Sequence, residues 1–394
     1  MEFSVAYAPT NDGFRFYDKV SKQDVNSTVH EYYVKHHAAS GSAQEWLHRI
    51  QNNQISFTAT GKPAAADSVL KAGDRLTYFR LPWAEPEAPS SITLLYEDEH
   101  VLAIAKPAGL QVLPKASFCQ RTVLGLLQAY QQQVRRTRYP GSQQAVPVHR
   151  LGRGTSGVLL CSCTVAARRK LCRDFSASTE LGVLSSRHRN ARVESESLFQ
   201  QGTASGSSGG GKMISDCTAA PQRPLGKTYR ALVAGIVEQD KGEVDVAIGP
   251  VSYPGLSSGL FAASPSGKPA RSLFRVLHRH AASSLVEVTI LTGRPHQIRI
   301  HMAALGHPLV GDPLYGPGGM PLDAVVSASG LGAYGDAANA MPGDCGYHLH
   351  SMDLRFHHPA TGAEMRLTAP VPAALQTPHQ AAACSAAELL QSSA

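Results

Sequence analysis

The sequence predicts an α+β protein whose larger domain is built on a mixed, largely antiparallel sheet and is preceded by a small α+β module. Three observations support this fold class: many short strand-like segments, few helices between them, and a Pro-rich stretch that separates the first unit from the rest. With 394 residues, the chain is long enough for two or three domains. A composition of 43% hydrophobic and 17% charged residues is typical of a globular protein.

Residues 1–88 are predicted to form the small module together with its linker. HEYYVKHH and AQEWLHRI have helical spacing, NQISFTATG has the pattern of a strand, and VLKAGDRLTYFRLPW places a Gly-Asp turn before another strand. This order resembles the αL RNA-binding module in a degenerate form, and an ordinary small α+β domain fits the same pattern. The Pro-rich segment AEPEAPSS, residues 84–91, is predicted to be the linker.

Residues 89–375 are predicted to form the larger domain. ITLLYEDEHVLAIAKPAGL contains two strand-like runs, TVLGLLQAYQQQ has helical spacing, and further strand-like segments extend from KTYRALVAGIV to AEMRLTAP. The Ser/Gly-rich residues 176–226 and the Gly/Ala-rich residues 317–345 are too poor in large apolar side chains to order themselves, and we predict disordered insertions there. Residues 376–394 are predicted to be a disordered tail.

The positive charge is concentrated in one part of the chain. The net charge is +7, and residues 100–173 contain no Asp or Glu. A solvent-exposed face normally mixes both signs, so this block favours a polyanionic partner such as nucleic acid over a solvated face without a partner. The block supplies twelve cations: Lys106, Lys115, Arg121, Arg135, Arg136, Arg138, Arg150, Arg153, Arg168, Arg169, Lys170 and Arg173.

The sequence contains no feature that predicts a membrane, secretory or metal-binding protein. No run of eighteen apolar residues occurs, and the N-terminus resembles neither a signal peptide nor a transit peptide, so we expect an intracellular protein. Seven scattered cysteines suit reduced thiols. The spacing of Cys161, Cys163 and Cys172, and that of His296 and His301, does not suit a zinc site.

The segment VHRLGRGTSGVLL, residues 148–160, contains the glycine pattern of a dinucleotide-binding loop from Gly152 to Gly157. That loop requires a helix after it, whereas VLLC is β-branched and apolar without helical spacing. The pattern therefore disfavours a dinucleotide site. Ser156 also lacks the leading glycine of a nucleophile elbow.

Four segments in order, LLYEDEHVLAIAKPAGLQVLP, VHRLGRGTSGVLL, KTYRALVAG and LTGRPHQIRIHMAALGHPLVGDPLYG, resemble the motifs of RluA-type RNA pseudouridine synthases. The resemblance implies isomerisation of uridine to pseudouridine in structured RNA, ribosomal or transfer, by a monomer that flips the base out of its stack. It implies no cofactor and no metal. The residues it assigns to RNA binding are His149, Arg150, Arg153, Thr155, Ser156, Lys106 and Gln297.

Within this resemblance, Arg150 occupies the position that the flipped base vacates, although an arginine that merely caps a strand would fit the local pattern. Tyr229 matches the active-site tyrosine that contacts the flipped base; taken alone, a tyrosine on a strand indicates half-buried packing. Arg299 matches the arginine that pairs with the catalytic aspartate. The alternation Gln297-Ile298-Arg299-Ile300-His301 predicts a strand with its polar side chains on one face.

The catalytic aspartate itself is missing. The family motif His-Arg-Leu-Asp is His149-Arg150-Leu151-Gly152 here, a variant that resembles a plant and algal branch of the family. Three hypotheses remain open: a synthase with a carboxylate from elsewhere in the chain, a catalytically inactive RNA-binding protein of the same fold, or chemistry that depends on a feature outside the motif. The candidate substitutes are Asp312, Asp245 and Glu287.

Overall fold

The computed structural model describes residues 1–115, 117–199, 225–253, 256–322 and 345–383. The N-terminal module consists of a three-stranded antiparallel sheet in the order β2-β4-β3 and two helices. Both helices begin with a capping box, Thr28 with Glu31 and Ser42 with Glu45, which satisfies two backbone N–H groups at each helix start. The helices and strands within residues 1–88 are β1 (Glu2–Ser4), β2 (Phe14–Lys19), α1 (Val29–His36), α2 (Ala43–Gln51), β3 (Ile55–Phe57) and β4 (Arg75–Arg80).

The first strand of the chain does not belong to this module. β1 pairs antiparallel with β5 (Ser91–Glu97), and Phe3 is buried with its ring 5.1 Å from that of Tyr130 in the core of the larger domain. The predicted boundary at residue 88 is therefore wrong for residues 2–4. The physical reason is that a short edge strand with one large apolar side chain pairs wherever an open sheet edge and a pocket for that side chain exist.

The predicted linker is docked onto the larger domain. Glu85 is buried, and its carboxylate accepts hydrogen bonds from the backbone N–H groups of Cys119, Gln120 and Arg121 at 2.8–2.9 Å. Asn11 of the module donates to the same carboxylate at 2.8 Å. The carboxylate of Glu85 therefore connects the module, the linker and the loop at 119–121. The Pro-rich linker is thus held in place and is not a flexible connection.

The larger domain is a mixed sheet, and the predicted fold class is confirmed. Within the described residues its strand order is β1-β5-β6-β8-β15-β9-β14-β13-β10, with β7 on β8 and β16 on β15, and every pairing is antiparallel except β8 with β15. The remaining strands are β6 (Val101–Lys106), β7 (Val146–Pro147), β8 (Ser156–Ser162), β9 (Gly226–Ala234), β10 (Lys241–Asp245), β11 (Ile248–Tyr253), β12 (Leu256–Ala263), β13 (Arg271–Arg279), β14 (Ser283–Ile290), β15 (Leu349–His357) and β16 (Glu364–Thr368).

Helices cover both faces of this sheet. On β8 the side chains alternate, so that Leu159 joins the core under α3 (Val123–Tyr130) and α6 (Gln297–Ala304), and Leu160 joins the core under α5 (Val165–Phe199). α3 continues through a π-helical segment (Gln131–Arg135) into α4 (Arg136–Arg138). Among the described residues, no helix combines the length and the hydropathy needed to cross a bilayer.

The predicted disordered insertion at 176–226 is wrong for its first part, because α5 continues to Phe199. Ser178 is buried and donates to the carbonyl of Leu225, and a Cβ added at Gly182 would lie 2.0 Å from the Leu291 carbonyl oxygen. Small residues here serve close helix packing and do not indicate disorder. Residues 200–224 lie outside the described residues.

The other two disorder predictions are also wrong in part. Residues 317–319 form a 3₁₀ turn with Gly319 buried, whereas 323–344 lie outside the described residues. In the predicted tail, Gln380 accepts a hydrogen bond from Nη1 of Arg230 at 2.5 Å, so residues 376–383 pack on β9. Residues 384–394 are likewise not described.

The predicted strand around Arg299 is a helix. Residues 297–304 form α6, and every residue from 297 to 303 is buried. Sequence alternation failed because polarity does not mark a solvent face in a fully buried segment. Each polar side chain has a partner instead: for example, His301 bonds Ser272 Oγ at 3.0 Å and the Val246 carbonyl at 2.9 Å.

Candidate active site

A cleft of about 1280 Å³ opens between the two halves of the sheet. Its walls come from the loop at 111–115, the loop at 148–153, the start of β9, the turn at 290–296 and the first part of α5. All four family-like segments therefore meet at one cavity, together with a helical segment that the sequence predicted to be disordered.

The loop at 148–157 is a tight turn that leads directly into a strand. Thr155 donates its N–H to the Gly152 carbonyl at 3.1 Å, and β8 begins at Ser156. Gly157 has a φ of +109°, and a Cβ there would lie 2.1 Å from the Ser351 carbonyl oxygen. These glycines serve a turn and a close strand contact, and the helix that a dinucleotide site requires is absent at this point of the chain.

Arg150 and Arg153 both line the cleft, and Arg150 is exposed. The guanidinium of Arg153 lies 5.2 Å from the centre of the Phe118 ring. Lys115 and Arg294 line the same cleft. Positive charge from three loops therefore surrounds the opening, which is the arrangement that attracts a phosphate backbone.

Lys106 has a different role from the predicted one. It is 1% exposed, and its Nζ donates to the carbonyls of Pro107, Leu110 and Arg153 at 2.8, 2.8 and 3.0 Å. An ammonium group has three hydrogens, and three carbonyls receive them. The prediction that Lys106 binds RNA is wrong; it fixes the loop at 107–110 to the loop that carries Arg153.

Gln297 is likewise a buried structural residue. Its Oε1 accepts from Thr292 Oγ1 at 2.8 Å and from the N–H of Arg294 at 3.0 Å, and its Nε2 donates to the Arg271 carbonyl and Ser272 Oγ. The prediction that Gln297 binds RNA is wrong, because all the hydrogen-bonding capacity of its amide is used within the protein. Its effect on the cleft is to hold the turn that bears Arg294.

Three further predicted RNA ligands shape the loop. Thr155 is buried with Oγ1 3.2 Å from Tyr347 Oη, and Ser156 Oγ lies 2.8 Å from His350 Nδ1. His149 accepts the N–H of Leu160 on Nε2 at 3.1 Å and stacks on Phe175. Burial, helped by the charge of Lys227, holds the pKa of His149 well below its usual range, so its imidazole is neutral. Of these three, His149 lines the cleft.

Tyr229 and Lys227 lie two residues apart on β9, and both line the cleft. Burial raises the pKa of Tyr229 to about 12, although a hydrogen bond with Ser351 opposes this, so its phenol is protonated at neutral pH. Burial lowers the pKa of Lys227 to about 8, and its Nζ lies 4.3 Å from the centre of the Phe175 ring. The motif KTYRA predicted a site residue at Tyr229 but not at Lys227, although Lys227 stands in the same motif.

Gly152 lines the cleft, and the space beside it is occupied. A Cβ added at this residue would lie 2.6 Å from Tyr347 Oη and 3.3 Å from Thr155 Oγ1. The hydroxyl of Tyr347 therefore stands where a side chain at 152 would begin. Nothing in the sequence associated these two residues, which are far apart along the chain.

Arg299 is 2% exposed and forms a bidentate ion pair with Asp312, from Nε to Oδ2 at 2.7 Å and from Nη2 to Oδ1 at 2.6 Å. Burial alone would lower the pKa of Arg299, but the hydrogen bonds and charge of Asp312, together with Tyr347 and Tyr315, outweigh burial and raise the pKa. The rings of Tyr315 and Tyr347 lie 4.9 and 4.2 Å from its Cζ. The resemblance pairs Arg299 with an aspartate that is missing at position 152, and Asp312 neutralises the guanidinium in this chain.

None of the three candidate substitutes lines the cleft within the described residues. Asp312 is held by Arg299, Glu287 pairs with Arg275 on β13, and Asp245 is exposed on the edge strand β10. Among the described residues that line the cleft, the one with a carboxylate side chain is Glu180 on α5. Glu180 lies in the segment that was predicted to be a disordered insertion.

Comparison with known proteins gives similarity both to a solved structure and to sequence relatives. The solved structure of human RNA Pseudouridylate Synthase Domain Containing 1 gives a TM-score of 0.45 at 21% identity, over 76% of this chain and 96% of that one. A family model described as RNA pseudouridylate synthase matches residues 100–182 and 211–304.

Two plant relatives match nearly the whole chain. RNA pseudouridine synthase 5 of Arabidopsis thaliana is 41% identical over 381 residues, which is 93% of this chain and 95% of the relative. The protein of the same description from Oryza sativa subsp. japonica is 40% identical over 391 residues, 95% of this chain and 91% of its own. Ribosomal large subunit pseudouridine synthase D of Pseudomonas aeruginosa is 30% identical over 71% of this chain and 68% of its own. The chain belongs to the RluA-type RNA pseudouridine synthase family.

Proposed function

We propose that this chain converts uridine to pseudouridine in structured ribosomal or transfer RNA, by flipping the uridine into the cleft, as a monomer and without a cofactor. The observation that carries the proposal is the cleft itself, where Arg150, Arg153, Lys115 and Arg294 surround an opening that contains Tyr229. Extrusion of a base requires phosphate-binding cations at the rim and an aromatic or apolar pocket for the base. Both are present in one cavity.

The reaction is an isomerisation. The N1–C1′ bond of uridine breaks, the uracil turns, a C5–C1′ bond forms, C5 loses its proton and N1 gains one, so atoms and electrons balance without a second substrate. The protein must stabilise the separated sugar and base and must accept the C5 proton. Tyr229 is protonated at neutral pH and therefore cannot be this acceptor, but it can stack on the base or donate a hydrogen bond to it.

We propose Glu180 as the carboxylate that serves the cleft in the place of an aspartate at 152. It lines the cavity on α5, and Gly182, two residues further on, allows this helix to contact the Leu291 carbonyl closely. A carboxylate among five cationic lining residues opposes phosphate binding, so it does not contribute to RNA affinity. Loss of such a group costs on the order of ten-thousand-fold in rate.

The second candidate function is that of a non-catalytic RNA-binding protein. The observations that favour it are the absence of a carboxylate at Gly152 and the closed ion pair between Arg299 and Asp312. In this case the cations and the pocket serve recognition alone, and the chain keeps the fold without the chemistry.

Purified protein incubated with unmodified transcripts of ribosomal and transfer RNA separates the two candidates. The proposed synthase produces pseudouridine at a defined position, and Glu180→Gln abolishes the product without weakening RNA binding, since it removes a negative charge from a cationic cleft. Asp174→Asn on the same helix, outside the cleft lining, is the matched control. RNA binding without product in the wild type supports the second candidate, and full activity in Glu180→Gln removes Glu180 from the mechanism.

We further propose that the protein acts inside the cell. Cys161 and Cys163 are buried free thiols on and just after β8, and burial raises the pKa of both. Unreactive free thiols suit a reducing compartment. Localisation of the tagged full-length chain checks this, and light scattering of the purified protein checks the monomer.

A further inference from the structure

His296 is a polar side chain of the cleft that the proposed reaction has not used. It precedes α6 directly, its φ of +53° places it in the left-handed region, and its half-buried imidazole lines the cavity with Phe261 and Arg294. A non-glycine residue with positive φ is uncommon, and histidine is one of the residue types that tolerate it. The backbone here turns the side chain out of the helix and toward the cleft.

The hydrogen bonds around His296 determine its tautomer. Tyr315 Oη donates to the Phe261 carbonyl at 2.6 Å, and a phenol has one hydrogen to donate. His296 Nδ1 lies 2.8 Å from the same Oη, so Nδ1 must carry the proton and donate it. The second ring nitrogen, Nε2, is then a lone-pair acceptor. No hydrogen bond to Nε2 occurs among the described residues.

The imidazole also stays neutral. Burial, together with the charges of Arg299, Arg150 and Lys115, lowers the pKa of His296 to about 3. The Nδ1–H tautomer therefore persists through the physiological range of pH. Nε2 offers a constant acceptor in a cleft whose other polar groups are mainly donors.

Arg299 and Asp312 hold the Tyr315 side chain in the position that orients His296. The Tyr315 ring packs on the Arg299 guanidinium, and Asp312 holds that guanidinium by two hydrogen bonds. The same carboxylate accepts the N–H groups of Leu314 and Tyr315. Arg299 and Asp312 thus act as positioning residues for a hydroxyl that orients His296.

We propose that Nε2 of His296 accepts the N3–H of the flipped base and so selects uracil over cytosine. Uracil has a donor at N3, whereas cytosine has a lone pair there, which would face the lone pair of Nε2. This inference deepens the proposed function and rests on a uridine entering this cleft. An unsatisfied pairing of buried polar groups typically weakens binding by about five- to a hundredfold.

Binding of uridine 5′-monophosphate, cytidine 5′-monophosphate and N3-methyluridine 5′-monophosphate to the full chain tests the proposal by calorimetry. We expect the wild type to bind the uridine nucleotide about tenfold more tightly than either of the others. His296→Gly keeps the positive φ without strain and should abolish the preference. Tyr315→Phe keeps the ring on Arg299 but releases the tautomer, and should reduce it. His278→Ala, on β13 outside the cleft lining, is the control.

Nitrogen-15 NMR of the histidine rings supplies a second readout, with His296 expected as the neutral Nδ1–H form at neutral pH. Equal affinity of the wild type for the three nucleotides, including no binding of any, overturns the proposal, as does a preference that survives His296→Gly. Pseudouridine formation is measured separately. A preference for uracil without product would reject the synthase function and leave this site standing, whereas product formation without the preference would do the reverse.

Discussion

Replacement of Gly152 by aspartate restores the family motif but places a side chain against Tyr347. The added Cβ would lie 2.6 Å from Tyr347 Oη, where ordinary contact begins at 3.4 Å. Tyr347 is buried with its ring on Arg299, so it cannot move away without disturbing that stack. The φ of Gly152 is not positive, so the backbone itself accepts an aspartate.

The expected cost of Gly152→Asp is that of overpacking, about 1 to 3 kcal/mol in the free energy of unfolding. Tyr347→Phe removes only the hydroxyl and its contact with Thr155, at about 1 kcal/mol. The next atom of that ring, Cζ, lies 3.9 Å from the added Cβ, which is an ordinary contact. The double variant should therefore be more stable than the sum of the two single effects predicts, by about 1 kcal/mol or more.

Urea denaturation of the wild type, Gly152→Asp, Tyr347→Phe and the double variant measures the coupling between the two residues. The double variant should also form more pseudouridine than Gly152→Asp alone, because it removes the close contact that displaces the loop at 148–153 beside the cleft. Free energies that add within about 0.5 kcal/mol, the usual error for independent sites, would refute the contact between these two residues.

Three other predictions concern charge. RNA affinity should fall with salt, with a slope of log affinity against log salt of several units, since the rim cations displace counterions; a slope near zero in a titration series would contradict this. Lys227→Met should stabilise the fold at pH 7 by at most about 3 kcal/mol, because the folded pKa of about 8 lies below that of the unfolded chain. The cost of burying the charged Lys227 is present in full below pH 8 and disappears as the pH rises to 10.5. The melting temperatures of the wild type and Lys227→Met should therefore differ at pH 7 and converge at pH 10, and a difference that stays constant between these pH values would argue against burial as the cause. Glu85→Gln should cost about 1 to 3 kcal/mol and expose the linker to proteolysis, because a carboxylate that serves three N–H groups is lost, whereas exposed Glu87→Gln should change neither.

The run VLLC predicted the strand β8 correctly, because it is β-branched and apolar without helical spacing. Both faces of β8 are buried, and its side chains fill two different cores. Alternation of polar and apolar residues failed at 297–301, since a helix buried on all sides shows no amphipathic face. Composition failed at 176–183, where serine and glycine provide close packing.

At the site, the motifs identified the segments that form the cleft, but not the role of each side chain. Lys106 and Gln297 have the residue types of RNA ligands, and only their buried partners show that they are structural. The partners that decide the chemistry, Tyr347 beside Gly152 and Asp312 beside Arg299, are set by tertiary contacts. No local pattern encodes a contact between residues so far apart in sequence as 152 and 347.

The position of β15 has a consequence for how the chain is made. β15 lies between β8 and β9 at the middle of the sheet, although it is synthesised after all the strands that it joins except β16. Until residues 349–357 leave the ribosome, the nascent chain carries two half-sheets whose facing edges have unpaired backbone groups, the situation in which chaperones are most useful. Gly152 precedes β8 and Tyr229 lies on β9, so the two walls of the cleft come together only when this late strand inserts between them. The cleft is therefore assembled only after β15 has been synthesised.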